Sequence, residues 1–310
     1  MVLDLEGPTV KKRNETSISA CEFRELQPDE LIHVDCLEHA YPDGTSSLHN
    51  VCFSLFKGEI VVVCGANGAG KSTLVEHLNG LIKPRVGRLI VLEHEISPKS
   101  GIITEVGLVF QDADSQVFAP TVLDDVMFGP LNKGMASEEA RQVAAHALES
   151  VGAAHLANRI PYYLSNGEKR LVAIAGVLAM SPTVIVADEP TSDLDPSHSR
   201  QIESVLVELK TNHGISIVIA THDMDLAARI ADRVYVIAEG HVIATGTPQE
   251  IFYNKPVLSR AGLDQPTAVR IYEGLRDHSF ADEKPVKEQD VMNVLVRMIE
   301  GLDEAEPEGG

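Results

Sequence analysis

The sequence predicts an α/β fold, with a mostly parallel sheet, an antiparallel β edge and a small C-terminal helical appendage. Three observations support this fold class. Short apolar runs alternate with helical patterns from residue 60 to residue 238, which favours a parallel sheet covered by helices on both faces. The first strand patterns are joined only by short turns, which predicts antiparallel pairing. After residue 252 the remaining patterns are helical.

Each element has its own local pattern. Apolar or alternating runs predict strands at LIHVDCLEHAY, NVCFSLF, EIVVVCG, RLIVL, EVGLVF, TVIVA, ISIVIA and RVYVIAE. Periodic apolar positions predict helices from Lys71 to about Leu81, from Ser137 to about Val151, after LSNGE, from Ser197 to Lys210 and after Asp223.

The chain divides into three regions. Residues 1–28 are polar and aperiodic, which predicts a loose extension. Residues 29–251 hold the alternating pattern, and residues 252–310 form a helical region with an acidic tail, DEAEPEGG. An apolar stripe at helical spacing in this last region consists of Val291, Leu295, Met298 and Leu302. Packing onto the main body and dimerisation explain this stripe equally well.

Charge and composition exclude several functions. The net charge of −20 opposes binding to nucleic acid and to anionic lipid, both of which need clustered Lys and Arg. Apolar runs such as Ile60–Cys64 fall far short of the ~18 residues of a membrane span, and the charged N-terminus does not resemble a signal peptide. The cysteines form no CxxC pair, which predicts reduced thiols in the cytoplasm at Cys21, Cys36, Cys52 and Cys64.

A glycine-rich loop, GANGAGKST, follows the strand EIVVVCG and precedes a helix. It matches the pattern G-x4-G-K-[ST], in which backbone N–H groups surround phosphates, Lys71 reaches the terminal phosphates and the Ser72 hydroxyl binds Mg²⁺. This P-loop predicts a nucleotide site at Gly65, Ala66, Asn67, Gly68, Ala69, Gly70, Lys71, Ser72 and Thr73.

Two acids end a later apolar strand. Asp188 and Glu189 follow VIVA, and a strand end beside a P-loop is where a carboxylate organises Mg²⁺. We expect Asp188 to address the metal and Glu189 to address an attacking water.

A second anion site is predicted at LSNGE, because a Ser before a helix leaves N–H groups pointing outward. With the P-loop, Gln111 after VF, ADEPTSDLD and ATHD, this motif completes the order found in ATP-binding cassette ATPases. The resemblance covers roughly Leu31 to Ile251. It implies a P-loop cassette fold with a helical signature subdomain, and it implies ATP and Mg²⁺ as ligands.

The resemblance also implies residue roles. Glu189 resembles the general base and His222 the histidine that contacts the γ-phosphate. Gln111 resembles the glutamine that contacts Mg²⁺ and the lytic water, and Asp188 the aspartate that organises Mg²⁺. Tyr41 resembles the aromatic residue that stacks on adenine.

In this family the signature loop (Leu164–Glu168) caps the ATP held by the other subunit, so two chains enclose two ATPs. Ser165 and Gly167 match its phosphate-facing positions, and Asp195 resembles an aspartate at the subunit interface. Three positions depart from the family pattern, and their effect on turnover stays open: Asn166, Glu168 and Leu171. The implied partner is a second copy or a paralogue.

The segment VFQDADSQVFAPTVLDDVMFGPLN resembles energy-coupling factor cassettes of the cobalt/nickel and vitamin uptake type. In that group this segment helps to dock an Arg-bearing cytoplasmic helix of the membrane coupling subunit, and a C-terminal helical domain helps dimerisation. Acid against Arg is a charge-assisted fit. The matching contact residues are Gln111, Asp112, Asp114 and Gln116.

The resemblance therefore implies a transport ATPase on the cytoplasmic face of the membrane, with the substrate bound by a separate membrane subunit. One alternative is a cassette ATPase without a membrane partner, but those proteins carry coiled-coil insertions, paired cassettes or basic patches that this sequence lacks. Another is a regulatory ATP-binding module without turnover, which Glu189 and His222 oppose. The sequence does not name the substrate, and it leaves homodimer and heterodimer open.

Overall fold

A computed structural model of the chain describes residues 24–43, 45–101, 103–275 and 284–303. The strands are β1 (Glu30–Ala40), β2 (Ser46–Phe56), β3 (Ile60–Cys64), β4 (Val86–Val91), β5 (His94–Glu95), β6 (Val106–Val109), β7 (Val184–Asp188), β8 (Ser216–Thr221), β9 (Arg233–Ala238) and β10 (His241–Gly246). The helices are α1 (Lys71–Leu78), α2 (Val122–Asn132), α3 (Ser137–Ser150), α4 (Asn166–Leu178), α5 (Pro196–His213), α6 (Met224–Ile230), α7 (Pro248–Phe252), α8 (Lys255–Arg260), α9 (Thr267–Leu275) and α10 (Glu288–Asp303).

The main sheet has the strand order β10-β9-β3-β8-β7-β6 and is parallel except at the β10 edge. Every residue of β3, β7 and β8 is buried, which explains their uninterrupted apolar runs. Their carboxyl ends are in register, because Cys64 pairs with Thr221 and Asp188 pairs with Ala220. The segments that follow these strands therefore meet at one edge of the sheet.

A second sheet, with the order β2-β1-β4-β5, is antiparallel, as the short turns between the first strands predict. It packs with α1 on one face of the main sheet. Helices α2, α3 and α4 pack with α5 and α6 in the core on the other face. The predicted α/β architecture with an antiparallel edge is confirmed.

Strand β10 is absent from the sequence prediction. It forms a hairpin with β9 through Glu239 and Gly240, which have φ angles of 49° and 76°. Two left-handed residues in a two-residue turn give the twist that an antiparallel hairpin needs. Glu-Gly is a weaker signal for this turn than Asn-Gly, so the strand after it is hard to find by pattern.

The C-terminal helices pack within the chain. Phe252, Leu258 and Val269 belong to the main core, whereas Val291 packs with Tyr272 in a small separate cluster between α9 and α10. Packing onto the same chain thus explains the first position of the apolar stripe. Leu295 is partly buried against the same cluster, and the side chains of Met298 and Leu302 lie outside the described part of the chain.

The N-terminal prediction is tested only at its end, because residues 1–23 lie outside the described ranges. Arg24 forms an ion pair with Glu30 of β1, so the residues just before β1 are held against the sheet. The prediction of reduced thiols is wrong for Cys52, which is disulfide-bonded, whereas Cys36 and Cys64 are reduced thiols. Pairing depends on the distance between Cα atoms in space, which sequence spacing does not report. Cys21 lies outside the described residues.

Candidate active site

The P-loop lies at the carboxyl edge of the main sheet, between β3 and α1. Two of its glycines are required by close backbone contacts. A Cβ on Gly65 would lie 2.5 Å from the carbonyl oxygen of Ile237, and one on Gly70, at φ 105°, would lie 2.6 Å from that of Ser47. The Lys71 ammonium donates to the Gly65 carbonyl at 2.9 Å, which directs this cation across the loop.

The Glu189 carboxylate is fixed from three sides. Glu189 follows β7 at a φ of 46°, where the chain turns sharply. Its Oε1 accepts a hydrogen bond from His222 Nδ1 at 2.8 Å and lies 3.4 Å from Lys71 Nζ. Its Oε2 accepts from the Thr221 hydroxyl at 3.0 Å. Only 5% of Glu189 is exposed, so a base at this position is both held and shielded from bulk water.

One carboxylate oxygen of Asp188 is available to a ligand. Its carboxylate accepts a hydrogen bond from Ser72, while Oδ1 is buried and has no hydrogen-bond partner among the described residues. Burial, together with the charge of Glu189, raises the pKa of Asp188 despite the opposing effects of Ser72, Lys71 and Arg170. A buried carboxylate oxygen beside a hydroxyl is a donor set that suits Mg²⁺. The residues present therefore fit the predicted metal.

Tyr41 lies beside the first turn of α1. Its hydroxyl is 2.9 Å from the Thr73 hydroxyl, and its ring contacts the edge of His39 at a centroid distance of 4.7 Å. Because 38% of Tyr41 is exposed, part of the ring is open to a base that stacks next to the P-loop. The predicted adenine contact remains a prediction.

The signature loop forms the start of α4. Ser165 and Glu168 form a capping box: the Ser165 hydroxyl accepts from the Glu168 N–H at 3.3 Å, and the Glu168 carboxylate accepts from the Ser165 N–H at 2.7 Å. Although partial burial opposes it, these bonds and the nearby Arg159 lower the pKa of Glu168. The capping box does not use the N–H groups of Asn166 and Gly167, which stay at the positive end of the helix. Glu168 is thus compatible with an anion site.

A histidine connects the signature loop with the start of α5. A Cβ on Gly167 would lie 2.3 Å from the His198 ring, so only glycine fits there. His198 Nδ1 bonds to the carboxylate of Asp195, and this hydrogen bond lowers the pKa of Asp195. Asp195 also caps α5 by accepting from the N–H groups of Ser197 and His198. Ser165, Gly167 and Asp195 thus form a second group, built on the starts of α4 and α5.

The segment after β6, which we call the Q-loop (Gln111–Gln116), carries the predicted partner contacts, which remain a prediction. Gln116 was expected to contact a partner, but its amide is engaged within the chain. It accepts from the Phe110 N–H at 3.0 Å and donates to the Leu108 carbonyl at 2.9 Å. Asp112 accepts from the Asp114 N–H and caps a single 3-10 turn. The sequence does not show that the side-chain amide of Gln116 forms hydrogen bonds with the backbone of nearby residues.

Two cations of α4 were missed by sequence reasoning. Arg170 is only 4% exposed and donates to the Phe110 carbonyl, next to Gln111, at 2.6 Å. Burial lowers the pKa of Arg170, against the opposing charges of Asp112, Asp193 and Asp188. Lys169 forms an ion pair with Asp114. Leu171, where the family has a basic residue, is buried in the main core.

Gln111 itself is exposed and lines a cavity of about 220 Å³ with Arg170 and Ser192. Thr221, which holds Glu189, was also missed as a functional residue. Its signal was present, because Thr221 in ATHD is the polar last residue of the buried strand β8. The predicted residues brought together at the P-loop edge are Lys71, Ser72, Asp188, Glu189 and His222.

Comparison with known proteins shows the family to which the chain belongs. A family model described as ABC transporter matches residues 48–192. The energy-coupling factor transporter ATP-binding protein EcfA of Methanothermobacter thermautotrophicus is 40% identical over 275 residues, which span 87% of this chain and 88% of the relative. The chain belongs to the ATP-binding cassette ATPases of energy-coupling factor transporters.

Other members of this family are similar over most of their length. EcfA of Methanocaldococcus jannaschii is 43% identical over 247 residues, 78% of this chain and 88% of the relative. The structure of cbiO1 from Clostridium perfringens, part of the ABC transporter complex cbiONQ, has a TM-score of 0.69 at 39% identity and covers 79% of this chain and 99% of that chain.

A dimeric ATP-binding cassette bound to ADP and Pi has a TM-score of 0.64 at 28% identity, covering 70% of this chain and 99% of that chain. These likenesses confirm the cassette fold and identify the energy-coupling factor ATPase as an ATP-binding enzyme. Among the described residues, no helix has the length and apolar character needed to cross a bilayer.

Proposed function

We propose that this ATPase drives the uptake of a metal ion, such as cobalt or nickel, or of a vitamin, from the cytoplasmic face of the membrane. ATP hydrolysis by this protein is supported by the buried Glu189 carboxylate, which Thr221 and His222 hold next to Lys71. A carboxylate so positioned orients and deprotonates a water, and general bases of this kind contribute about 10²–10⁴-fold to a rate.

The residues around Glu189 support the rest of the reaction. Ser72 and Asp188, joined by Gln111, would hold Mg²⁺, which neutralises phosphate charge when bound. Lys71 and the P-loop N–H groups bind the phosphates, and His222, half-exposed beside Glu189, is available to the γ-phosphate. These groups all lie on one chain.

The second group supports a dimer. The free N–H groups at the start of α4 form an anion site separate from the P-loop, and the loop that carries them packs against the start of α5 through Gly167 and His198. We infer that Ser165 and Gly167 cap the ATP of a partner cassette, with Asp195 at the same interface. The partner is a second copy or a paralogue, and the C-terminal helices add to the contact.

A groove beside the Q-loop supports docking of a membrane subunit. This docking groove, of about 740 Å³, is lined by Asp114, Val117, Phe118, Ala119, Ile160, Pro161, Tyr162 and Lys169. Phe118 and Tyr162 are 63% and 81% exposed. Neighbouring exposed aromatic side chains of this kind are typical of a protein interaction site. Asp112 and Asp114 add negative charge close to Gln111. An amphipathic helix with an Arg fits this combination of apolar walls and acids.

The docking proposal is tested by co-purification with the transmembrane coupling subunit, co-expressed and solubilised in detergent. The double change Asp112→Ala with Asp114→Ala should keep ATP binding near normal while it reduces co-purification and uptake into vesicles. Glu93→Ala with Glu95→Ala, on the exposed β4–β5 hairpin, removes the same charge elsewhere.

Raised salt should weaken the wild-type complex, because exposed charges are screened. Undiminished co-purification and uptake by the Asp112/Asp114 variant would exclude these acids as the docking site.

A further inference from the structure

The acid that would receive a docking cation already has a cation bound to it. Asp114 Oδ1 lies 2.5 Å from Lys169 Nζ. Lys169 belongs to the first turn of α4, four residues after Ser165, and its side chain lines the same docking groove as Asp114. The chain therefore supplies its own positive charge at the position where a partner's Arg would bind.

Helix α4 holds the Q-loop at Asp114 and the residue before it at Phe110. The bond from Arg170 to the Phe110 carbonyl is buried, since Arg170 is only 4% exposed. The Lys169–Asp114 pair faces the groove, and 64% of the Asp114 side chain is exposed. A guest cation can reach Asp114 without unpacking the core. Only 12% of the Lys169 side chain is exposed, so the pair is open to solvent on the Asp114 side, where water screens the charges and keeps an ion pair weak.

We propose that Lys169 pairs with Asp114 only until a cation of the coupling subunit docks and replaces it. An Arg of the membrane coupling subunit takes its place on Asp114 and releases the first turn of α4. Arg is suited to the exchange because its planar fork binds a carboxylate through two parallel hydrogen bonds, whereas Lys binds as a point charge. This inference rests on the docking function proposed above and adds a regulatory step to it.

The exchange connects the membrane contact with the composite ATP site. The turn released begins at Ser165 and contains the N–H groups of Asn166 and Gly167, which face the partner's ATP in the proposed dimer. The Arg170 bond stays intact, so α4 keeps its attachment to the residue before Gln111. Coupling between two binding events is reciprocal. Any change that docking makes in the affinity for ATP across the dimer is therefore matched by an equal change that this ATP makes in the affinity for the coupling subunit.

The test is the affinity of Lys169→Gln for the detergent-solubilised coupling subunit, measured by biolayer interferometry. Because the variant no longer has to break the internal pair, we expect binding about two- to fivefold tighter than wild type. Asp114→Asn should bind several-fold more weakly. In the Asp114→Asn background, Lys169→Gln should have no further effect, since the two groups act through one contact.

Lys210→Gln is the matched control. Lys210 is also ion-paired, with Asp232, at the amino end of β3 and away from the P-loop edge. The Lys210→Gln change removes the same charge as Lys169→Gln, and the affinity of this variant for the coupling subunit should equal that of wild type. Thermal unfolding and nucleotide binding of each variant show whether the fold is retained.

The outcomes separate the two proposals. Weaker binding by Lys169→Gln, with weaker binding by Asp114→Asn, would overturn the exchange, because Lys169 would then be a support for Asp114. Unchanged binding by Asp114→Asn would overturn the docking proposal itself. Hydrogen exchange of wild type gives an independent measurement: amides of residues 164–170 should exchange faster when the coupling subunit is bound. Unchanged or slower exchange in this turn would contradict its release.

Discussion

The Glu189→Gln substitution removes the general base while keeping most of the contacts around it. The amide has nearly the same shape as the carboxylate, and its oxygen can still accept from His222, whose Nδ1 lies 2.8 Å from Oε1. The Thr221 hydroxyl, now 3.0 Å from Oε2, can rotate and accept from the new amide instead. With two of the three contacts kept, the fold and the P-loop should be unchanged. What disappears is the ability to take a proton from water.

The expected loss of hydrolysis is about 10²–10⁴-fold, which equals roughly 3–5 kcal/mol in the activation barrier. Phosphate release measures the rate, a fluorescent ATP analogue measures binding, and size-exclusion chromatography with ATP measures dimerisation. We expect normal binding and a long-lived dimer, because the γ-phosphate stays in place. Glu203→Gln, which alters an acid paired with Arg229, is the matched control and should hydrolyse normally. A Glu189→Gln variant that hydrolyses at the wild-type rate and stays monomeric would refute this reasoning.

Substitutions of three buried side chains, two in the site (Lys71 and Asp188) and one in α1 (His77), have measurable expected effects. Lys71→Ala should abolish binding of a fluorescent ATP analogue, since the side chain crosses the P-loop; equal affinity would exclude it from phosphate binding. Asp188→Asn should lose Mg²⁺-dependent hydrolysis yet unfold at a higher temperature, because the raised pKa of Asp188 means that the fold disfavours its charge; a lower unfolding temperature would contradict that inference. His77→Gln should reduce acid sensitivity. Burial lowers the pKa of His77 from 6.5 to about 4, so the folded state resists protonation, and stability that is complete above pH 6.5 is lost progressively between pH 6.5 and 4. The variant should lose about 3 kcal/mol less over this range in urea unfolding, and an equal loss would exclude His77 as the cause.

Local patterns predicted the catalytic edge well. The buried strands β3, β7 and β8 are continuous apolar runs. The P-loop with Lys71 follows β3, Asp188 is the last residue of β7, and His222 follows β8 directly. Because parallel strands in one sheet end at the same edge, motifs far apart in sequence were brought together by the fold class alone.

Features that depend on distant partners were not visible in the sequence. Lys169 and Asp114 are 55 residues apart, and nothing in EKR or DAD indicates that they meet. The Gln116 amide matched a family motif, but its backbone partners depend on how the Q-loop turns. The disulfide at Cys52 was missed for the same reason, whereas strand β10 was missed because its Glu-Gly turn is a weak local signal.

In the proposed dimer, each signature loop acts on the ATP of the other subunit. This arrangement is tested by mixing two inactive variants, Ser165→Arg and Lys71→Ala, and measuring phosphate release. A mixed dimer contains one composite site with both lesions and one intact site. At equal amounts, half of the dimers are mixed, so we expect recovery of about one quarter of wild-type turnover.

A mixture of Lys71→Ala with Glu189→Gln is the matched control. Both lesions then affect each chain's own P-loop edge, so every composite site of every dimer stays damaged and no turnover should return. Recovery in the first mixture and not in the second is the result we predict. Absence of recovery in the first mixture at every ratio would contradict a signature loop that acts across the dimer.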